Sequence, residues 1–228
     1  PDPVPGRPGM CLASMGNYVF STEFLIEQVI SDSDDPVSSH DFGKDIIPRI
    51  IEQHRVHAYS FVDRDGGKAY WRDVGTIDAY WQANMELSHV VPELDMYEQN
   101  WRIMTYQEQL APAKFVFDDE DRQGRAVSSL VSGGCVISGA SVKRSVLFSS
   151  VTVHSFAEVQ DSVVLPRAEI GRHCRLTRCI VDAGTIIPPK TVIGEDIEAD
   201  RARGFRVSET GVVLVTAKMF GQTLHWTR

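Results

Sequence analysis

From residue 131 to residue 196 the sequence repeats every six residues. Phe156, Ser162, Ala168, Cys174, Ile180, Ile186 and Val192 form one series, and Val164, Ile170 and Leu176 form a second, offset by two. No α-helix has that period, and twofold alternation alone would not keep choosing every third pair. Inward positions that are small or branched fit short strands joined by tight bends, three faces to a coil, with each coil stacked on the last. The repeat therefore predicts a parallel β-helix over residues 131–194, about three and a half coils long. Ile180, flanked in its series by Cys174 and Ile186, is expected to point into the stack. Glu158 and Asp182 interrupt the pattern, standing where Val164 and Leu176 predict apolar residues. An open-ended stack cannot cover its own ends. A short helix over 198–203 and a last strand over 211–216 are the expected additions at one of them.

Ahead of the repeat the pattern is α/β. Residues 12–20 read as a strand, and Ser21 or Thr22 can cap a helix over 23–30 with Phe24, Leu25, Val29 and Ile30 on one stripe. A polar loop over 31–38 leads to a helix begun by Ser39 or Asp41 and carrying Ile46, Ile47, Ile50 and Ile51. Pro48 lies close enough to that helix start to be tolerated. A strand over 57–62, a turn over 64–68 and an extended piece over 70–74 follow. Thr76 then caps a helix carrying Ile77, Tyr80, Trp81, Asn84 and Leu87, with Asp78 at its positive end. Three strands make a poor independent sheet. Met96, Tyr97, Trp101 and Tyr106 mark the next stretch as a packed linker, because disordered segments are poor in such residues. The expected organisation is residues 1–91 as the rear of a larger α/β domain, 92–130 as linker, and 131–228 as β-helix with its cap.

Several function classes fall away on composition. A net charge of −8 argues against general nucleic-acid binding. No stretch approaches the roughly 20 apolar residues of a membrane span. Cys11, Cys135, Cys174 and Cys179 form no CxxC pair, and they read as buried free thiols in a reducing cytoplasm. The Pro/Gly-rich start, without an initiator Met, reads as an internal loop of something longer.

Chemistry concentrates in two places. In Tyr70-Trp71-Arg72-Asp73-Val74-Gly75-Thr76, an aspartate at a strand end can hold a hard divalent cation, and Gly75 lets a sugar or phosphate approach the backbone. Asp73 can equally cap the following helix or pair with Arg72. In the second place, Asp41 can accept sugar hydroxyls while Phe42 covers the apolar face of a sugar ring, or the two are an N-cap and a core phenylalanine. Ser14 and Tyr18 offer hydroxyls to a ligand or to the backbone, and Lys44 can face phosphate or solvent. The seven histidines are scattered, and no HExxH, GxSxG or P-loop motif occurs. His154 and His173 are expected in structural or solvent-facing roles.

These segments, taken in order, resemble the C-terminal half of bacterial glucose-1-phosphate adenylyltransferases. The resemblance rests on Leu12-Ala13-Ser14-Met15-Gly16, Ser38-Ser39-His40-Asp41-Phe42-Gly43-Lys44-Asp45, the Tyr70 to Thr76 run with Ala79-Tyr80-Trp81, Val90-Val91-Pro92-Glu93-Leu94-Asp95, Pro112-Ala113-Lys114-Phe115-Val116 and Val131-Ser132-Gly133-Gly134-Cys135. It implies a nucleotidyltransferase domain with a Rossmann-like mixed sheet, followed by the left-handed β-helix. It also implies a cytoplasmic homotetramer of glycogen biosynthesis that joins ATP and glucose 1-phosphate with Mg2+ and answers to metabolite effectors. On that pattern Ser14, Tyr18, Asp41, Phe42 and Trp71 line the glucose side and Asp73 is the catalytic, metal-binding carboxylate. The family's Gly-rich nucleotide loop, first metal-binding aspartate and sugar-phosphate lysine would lie before Pro1, so the 228 residues alone are expected to be inactive. Ala183, Ala217 and Gly221 stand where enteric-type members place effector-binding arginines; Arg172, Arg175 and Arg178 offer other positive charge. A different sugar-1-phosphate nucleotidyltransferase, or a non-catalytic β-helix scaffold, are the competing readings.

Overall fold

The structure is a computed structural model that describes residues 3–4, 6, 8–62, 69–100 and 102–223. The turn expected over 64–68, Trp101 and His225 lie outside the described residues. The chain divides into two compact units, Pro1–Ala69 and Tyr70–Arg228.

The first unit is built on two helices. Helix α1 spans Thr22–Ser33, with Ser21 at the N-cap position but making no side-chain cap bond. Asp41 starts a π-helical turn, Phe42–Ile46, that runs into α2, Ile47–Gln53, with Pro48 in the first turn where its missing N–H costs little. Ile46 and Ile50 are buried, as a three-to-four-residue stripe requires. Helix α1 departs from its expected stripe. Val29 and Ile30 are exposed, while Gln28 and Asp32 are buried. Hydrogen bonding is one reason: Asp32 is drawn in by Ser38 and His40, while of the stripe Phe24 and Leu25 are half-buried and Phe24 packs on Phe20 and His54. The segments 12–20 and 57–62 form no strand ladder among the described residues, nor does 70–74 in the second unit. Strands persist only when their backbone groups find partners, and three short ones do not supply a sheet.

The second unit is a parallel β-helix that begins earlier than the repeat suggests. Lys114–Val116 already pairs in parallel with Val136–Ser138, with a small hairpin, Asp118–Asp119 against Arg122–Gln123, inserted between them. Three stacked sheets result, of five, five and six strands. Helix α3, Ile77–Glu86, lies against the third sheet. Helix α4, Ile197–Ala202, and the antiparallel strand Arg206–Val207 finish the C-terminal end. Ile197 and Val207 pack on the core from that end.

The coil is shorter than three hexads. Glu158 pairs with Arg175 and Val163 with Ile180, an advance of 17 residues, whereas Arg125 pairs with Ser141, an advance of 16. One inward step in each later coil is therefore five residues. The buried interior runs Val153, Val159, Val164, Ile170, Leu176, Val181, Ile187, Ile193. This resolves the two interruptions, since Val159 and Val181 take the inward places beside Glu158 and Asp182. It also corrects the orientation of Ile180. That side chain is only 4% exposed, but it sits with Met85, Val163 and Val212 in a separate cluster under α3, outside the coil. A strict six-residue count accumulates one residue of error per coil, and a one-residue slip turns a strand side chain to the other face.

The short step comes at a corner occupied by small hydroxyl residues. Ser145 N–H donates to Ser129 Oγ at 3.1 Å, Ser162 N–H to Ser145 Oγ at 3.1 Å, and Cys179 N–H to Ser162 Oγ at 3.1 Å. The preceding residues Arg144, Asp161 and Arg178 all take positive φ to make the bend. All four cysteines are free. Cys135, Cys174 and Cys179 are buried as expected, but Cys11 is exposed. Burial pushes the Cys179 thiol up to about 12, so it packs as a small apolar group and not as a nucleophile.

Candidate functional site

In the first unit the expected sugar-side residues converge. Gly16, at φ 75°, turns the chain so that Ser14 and Tyr18 meet, their hydroxyls 2.8 Å apart. The Tyr18 ring stacks on Phe42 with centroids 6.1 Å apart, and Phe42 remains 37% exposed. Asp41 adopts the N-cap geometry: its Oδ1 accepts Gly43 N–H at 2.8 Å and Lys44 N–H at 2.9 Å. That leaves Oδ2 without a partner among the described residues, so capping and ligand binding are compatible in one side chain. Lys44 is exposed beside it.

What holds this loop was not visible in the sequence. Residue 32 reads there as part of a polar loop, yet Asp32 is in the last turn of α1 and almost fully buried. It accepts Ser38 Oγ at 2.8 Å, contacts His40 Nδ1 at 3.0 Å and lies 3.8 Å from the Arg49 guanidinium. The His40 hydrogen bond, ahead of the smaller effects of Ser38 and Arg49, holds its carboxyl below the usual carboxylate range despite burial. His40 itself sits at φ 59°, an unfavourable conformation for a non-glycine residue. Asp32 thus fixes the approach to Asp41 and Phe42. The available signal was its place one turn beyond the helix stripe, facing the Ser38-Ser39-His40 run.

In the second unit Trp71 is 40% exposed and Asp73 is exposed beside it. Neither structural alternative for Asp73 is realised. Thr76 is the N-cap of α3, its Oγ1 accepting Ala79 N–H at 3.1 Å, and Arg72 pairs with Glu86 at 3.3 Å and Glu93 at 2.5 Å. Asp73 Oδ1 accepts only Gly75 N–H, at 2.9 Å, and a Cβ on Gly75 would stand 3.1 Å from that oxygen. The second carboxylate oxygen is open among the described residues. One carboxylate is a partial ligand set, and no group of three or more His, Cys, Asp or Glu gathers among the described residues.

The other candidate groups have structural partners. His154 Nε2 lies 2.7 Å from Glu169, and the His173 ring stacks on Phe156 at 4.8 Å. Arg175 is held bidentately by Glu195, while Arg178 bonds Thr210 and lies over Trp81; Arg172 stands over the Phe156 ring. No helix among the described residues is long and apolar enough to cross a membrane.

Comparison with known proteins matches both units. The nucleotidyl transferase family model covers residues 5–90, and the GlmU-like C-terminal hexapeptide model covers residues 111–215. The glucose-1-phosphate adenylyltransferase of Alteromonas mediterranea is 59% identical over 222 residues, 97% of this chain and 52% of that protein. Its counterpart from Methylococcus capsulatus is 59% identical over 229 residues, 100% of this chain and 54% of that protein. The Shewanella putrefaciens protein of the same name is 60% identical over 222 residues. The chain spans about half the length of these curated relatives. Over nearly its whole extent it matches bacterial glucose-1-phosphate adenylyltransferases, with a nucleotidyltransferase segment followed by a hexapeptide-repeat parallel β-helix.

Proposed function

We propose that the chain is the sugar-binding and assembly half of an enzyme that forms ADP-glucose and diphosphate from ATP and glucose 1-phosphate. The end-to-end similarity to relatives bearing that name supports the reading most strongly. The site geometry agrees with it in kind. Ser14, Tyr18 and Asp41 offer hydroxyl and carboxylate partners around the exposed face of Phe42, a combination suited to the polar rim and apolar face of a hexose. Trp71 and Asp73 repeat that pairing of aromatic and carboxylate.

In the proposed reaction a phosphate oxygen of glucose 1-phosphate attacks the α-phosphorus of ATP in line. The bond from that phosphorus to the bridging oxygen breaks, and diphosphate departs with the electron pair. No side-chain nucleophile is needed; catalysis is positioning and charge stabilisation. The open oxygen of Asp73 fits a magnesium ion, for which one or two carboxylates with substrate phosphates are the usual ligands. When bound, the ion would neutralise charge on the phosphates. We extend the same proposal to a cytoplasmic homotetramer under metabolite control. With Arg175 and Arg178 already engaged and Ala183, Ala217 and Gly221 uncharged, its effector contacts would differ from the enteric arrangement.

The test is Asp73→Asn in the intact enzyme, followed by diphosphate release over a magnesium series and by equilibrium binding of ADP-glucose. The expected result is a turnover loss of at least ~10²-fold with the melting temperature retained. Turnover within threefold of the parent at every magnesium level would return Asp73 to a structural role, and a product other than ADP-glucose would redirect the substrate assignment.

A further inference from the structure

We propose that Asp78 is a positioning residue, a carboxylate clamp through which the C-terminal end of the β-helix fixes the Trp71–Asp73 turn. The effect on catalysis rests on the adenylyltransferase reading of Asp73; the clamp itself rests on geometry within the second unit.

Asp78 lies in the first turn of α3, where a negative charge already complements the helix dipole and needs no partner. Yet its Oδ1 accepts two hydroxyls from far along the chain, Ser208 Oγ at 2.5 Å and Thr210 Oγ1 at 2.6 Å. Ser208 is fixed in turn, since its Oγ accepts Val212 N–H at 2.9 Å where the chain enters strand Val213–Val215. Thr210 Oγ1 also accepts Arg178 Nη2 at 3.1 Å, and that guanidinium lies over the Trp81 ring, 4.6 Å from its centroid. One turn along α3 from Asp78, Trp81 Nε1 donates to the Asp161 carbonyl at 2.8 Å. Asp161 is itself held by two bonds from Arg144, at 2.6 and 2.8 Å. A continuous polar network thus ties the N-terminal half of α3 to two coil corners and the terminal hairpin.

Apolar contact alone would not set this register. Ile77, Tyr80, Trp81 and Met85 bury the underside of α3 on Val163, Ile180 and Val212, but such burial is non-directional. The clamp supplies direction. Between Asp73 and α3 the chain is closed by successive local bonds, Gly75 N–H to Asp73 and Ala79 N–H to Thr76, so a shift of the helix start is passed to the carboxylate. The family match for nucleotidyl transferases runs to residue 90, past α3, yet α3 is docked on the β-helix. The β-helix is thereby part of the machinery that places Asp73, and a displacement of about 1 Å at such a group can cost on the order of 10²-fold in rate.

The experiment uses the intact enzyme with Asp78→Ala, the conservative Asp78→Asn, and each combined with Asp73→Asn. Amide hydrogen exchange over residues 73–80 and the kcat and KM for glucose 1-phosphate are measured together. Asp78→Ala is expected to speed exchange over 73–80 by about tenfold or more while the interior coils keep their protection, and to lower kcat/KM by about tenfold or more. Asp78→Asn, which keeps an acceptor oxygen, should recover most of both. In the Asp73→Asn background the kinetic cost of Asp78→Ala should shrink to less than about threefold, because the group being positioned has already been lost. Unchanged exchange over 73–80 overturns the clamp. A kinetic cost undiminished by Asp73→Asn overturns its action through Asp73. Near-normal turnover of Asp73→Asn sinks the ligand reading instead, and faster exchange in Asp78→Ala then still upholds the clamp. Should Asp78→Ala fail to fold, Thr210→Val removes one of the two donors and carries the same readouts.

Discussion

Ser162 shows how much one hydroxyl does in a coil this narrow. Its Oγ donates to the Gln160 carbonyl at 2.6 Å and accepts Cys179 N–H at 3.1 Å, linking two coils at a corner with no exposure to water. Ser162→Ala should orphan the buried Cys179 N–H, while the Gln160 carbonyl keeps the Arg178 N–H at 3.0 Å, and cost about 1–3 kcal/mol, read as a fall in the urea midpoint with an unchanged slope. A loss below about 0.5 kcal/mol would mean that the corner relaxes and finds other partners. Gly194 is constrained more tightly. At φ 82° a Cβ there would lie 1.7 Å from the Thr177 carbonyl oxygen, a contact that backbone atoms cannot relieve without parting the coils. Gly194→Ala is therefore expected to destabilise more than Ser162→Ala in the same titration. Neither effect is visible from residue type alone, because serine and glycine are also ordinary turn residues.

At the scale of elements, α3 is the instructive case. Its existence, cap and apolar face were readable in advance: Thr76 caps it, and Ile77, Tyr80 and Trp81 pack inward. Its docking partner was not, because a stripe reports that a face is buried and not what buries it. Ile180 and Val181 separate the two layers. Val181→Asp places an unpaired charge inside the coil and should abolish the β-sheet circular dichroism. Ile180→Asp places it under α3 and should release that helix, with a red shift in tryptophan emission, while the coils persist; each costs several kcal/mol. Equal loss of β-sheet signal in both would contradict the outward orientation of Ile180. The docking should also depend on pH. Hydrogen bonds from Ser208, then Thr210, with a smaller effect from Arg178, hold the Asp78 carboxyl below its ordinary value. Its contribution is thus complete above the unfolded-state range near pH 4 and fades as pH falls through the lower folded value. Protection of the amides over 73–80, taken relative to the intrinsic exchange rate at each pH, should fall in acid more steeply in the parent than in Asp78→Ala. Parallel acid profiles would remove Asp78 as the titrating group.

For the whole molecule, the candidate site residues fall in two units that each offer an aromatic face, a carboxylate and hydroxyl or backbone donors. Neither contains a Gly-rich phosphate loop. The 228-residue chain by itself is accordingly expected to release no diphosphate from ATP and glucose 1-phosphate with magnesium, since stabilising a transferring phosphoryl group requires donors around all its oxygens. Sustained glucose-1-phosphate-dependent turnover by the purified chain would show that the remaining residues suffice. On α1, Ile26, Val29 and Ile30 are exposed.

The six-residue period was enough to establish a stacked parallel β-helix, because no other regular structure returns a side chain inward at that spacing. Local chemistry likewise marked Thr76 as a helix start and narrowed the other to Ser39 or Asp41, of which the fold uses Asp41, since a cap depends only on a side-chain oxygen and amides two or three residues ahead. Tertiary structure decided what those rules cannot reach. The coil length of 17 in place of 18 follows from how serine corners pack across coils, which is a property of stacked backbones and not of any one hexad. The burial of Asp32 and the clamp on Asp78 join residues 6 to 132 positions apart, and only the folded chain determines which distant hydroxyl or imidazole arrives to satisfy a carboxylate.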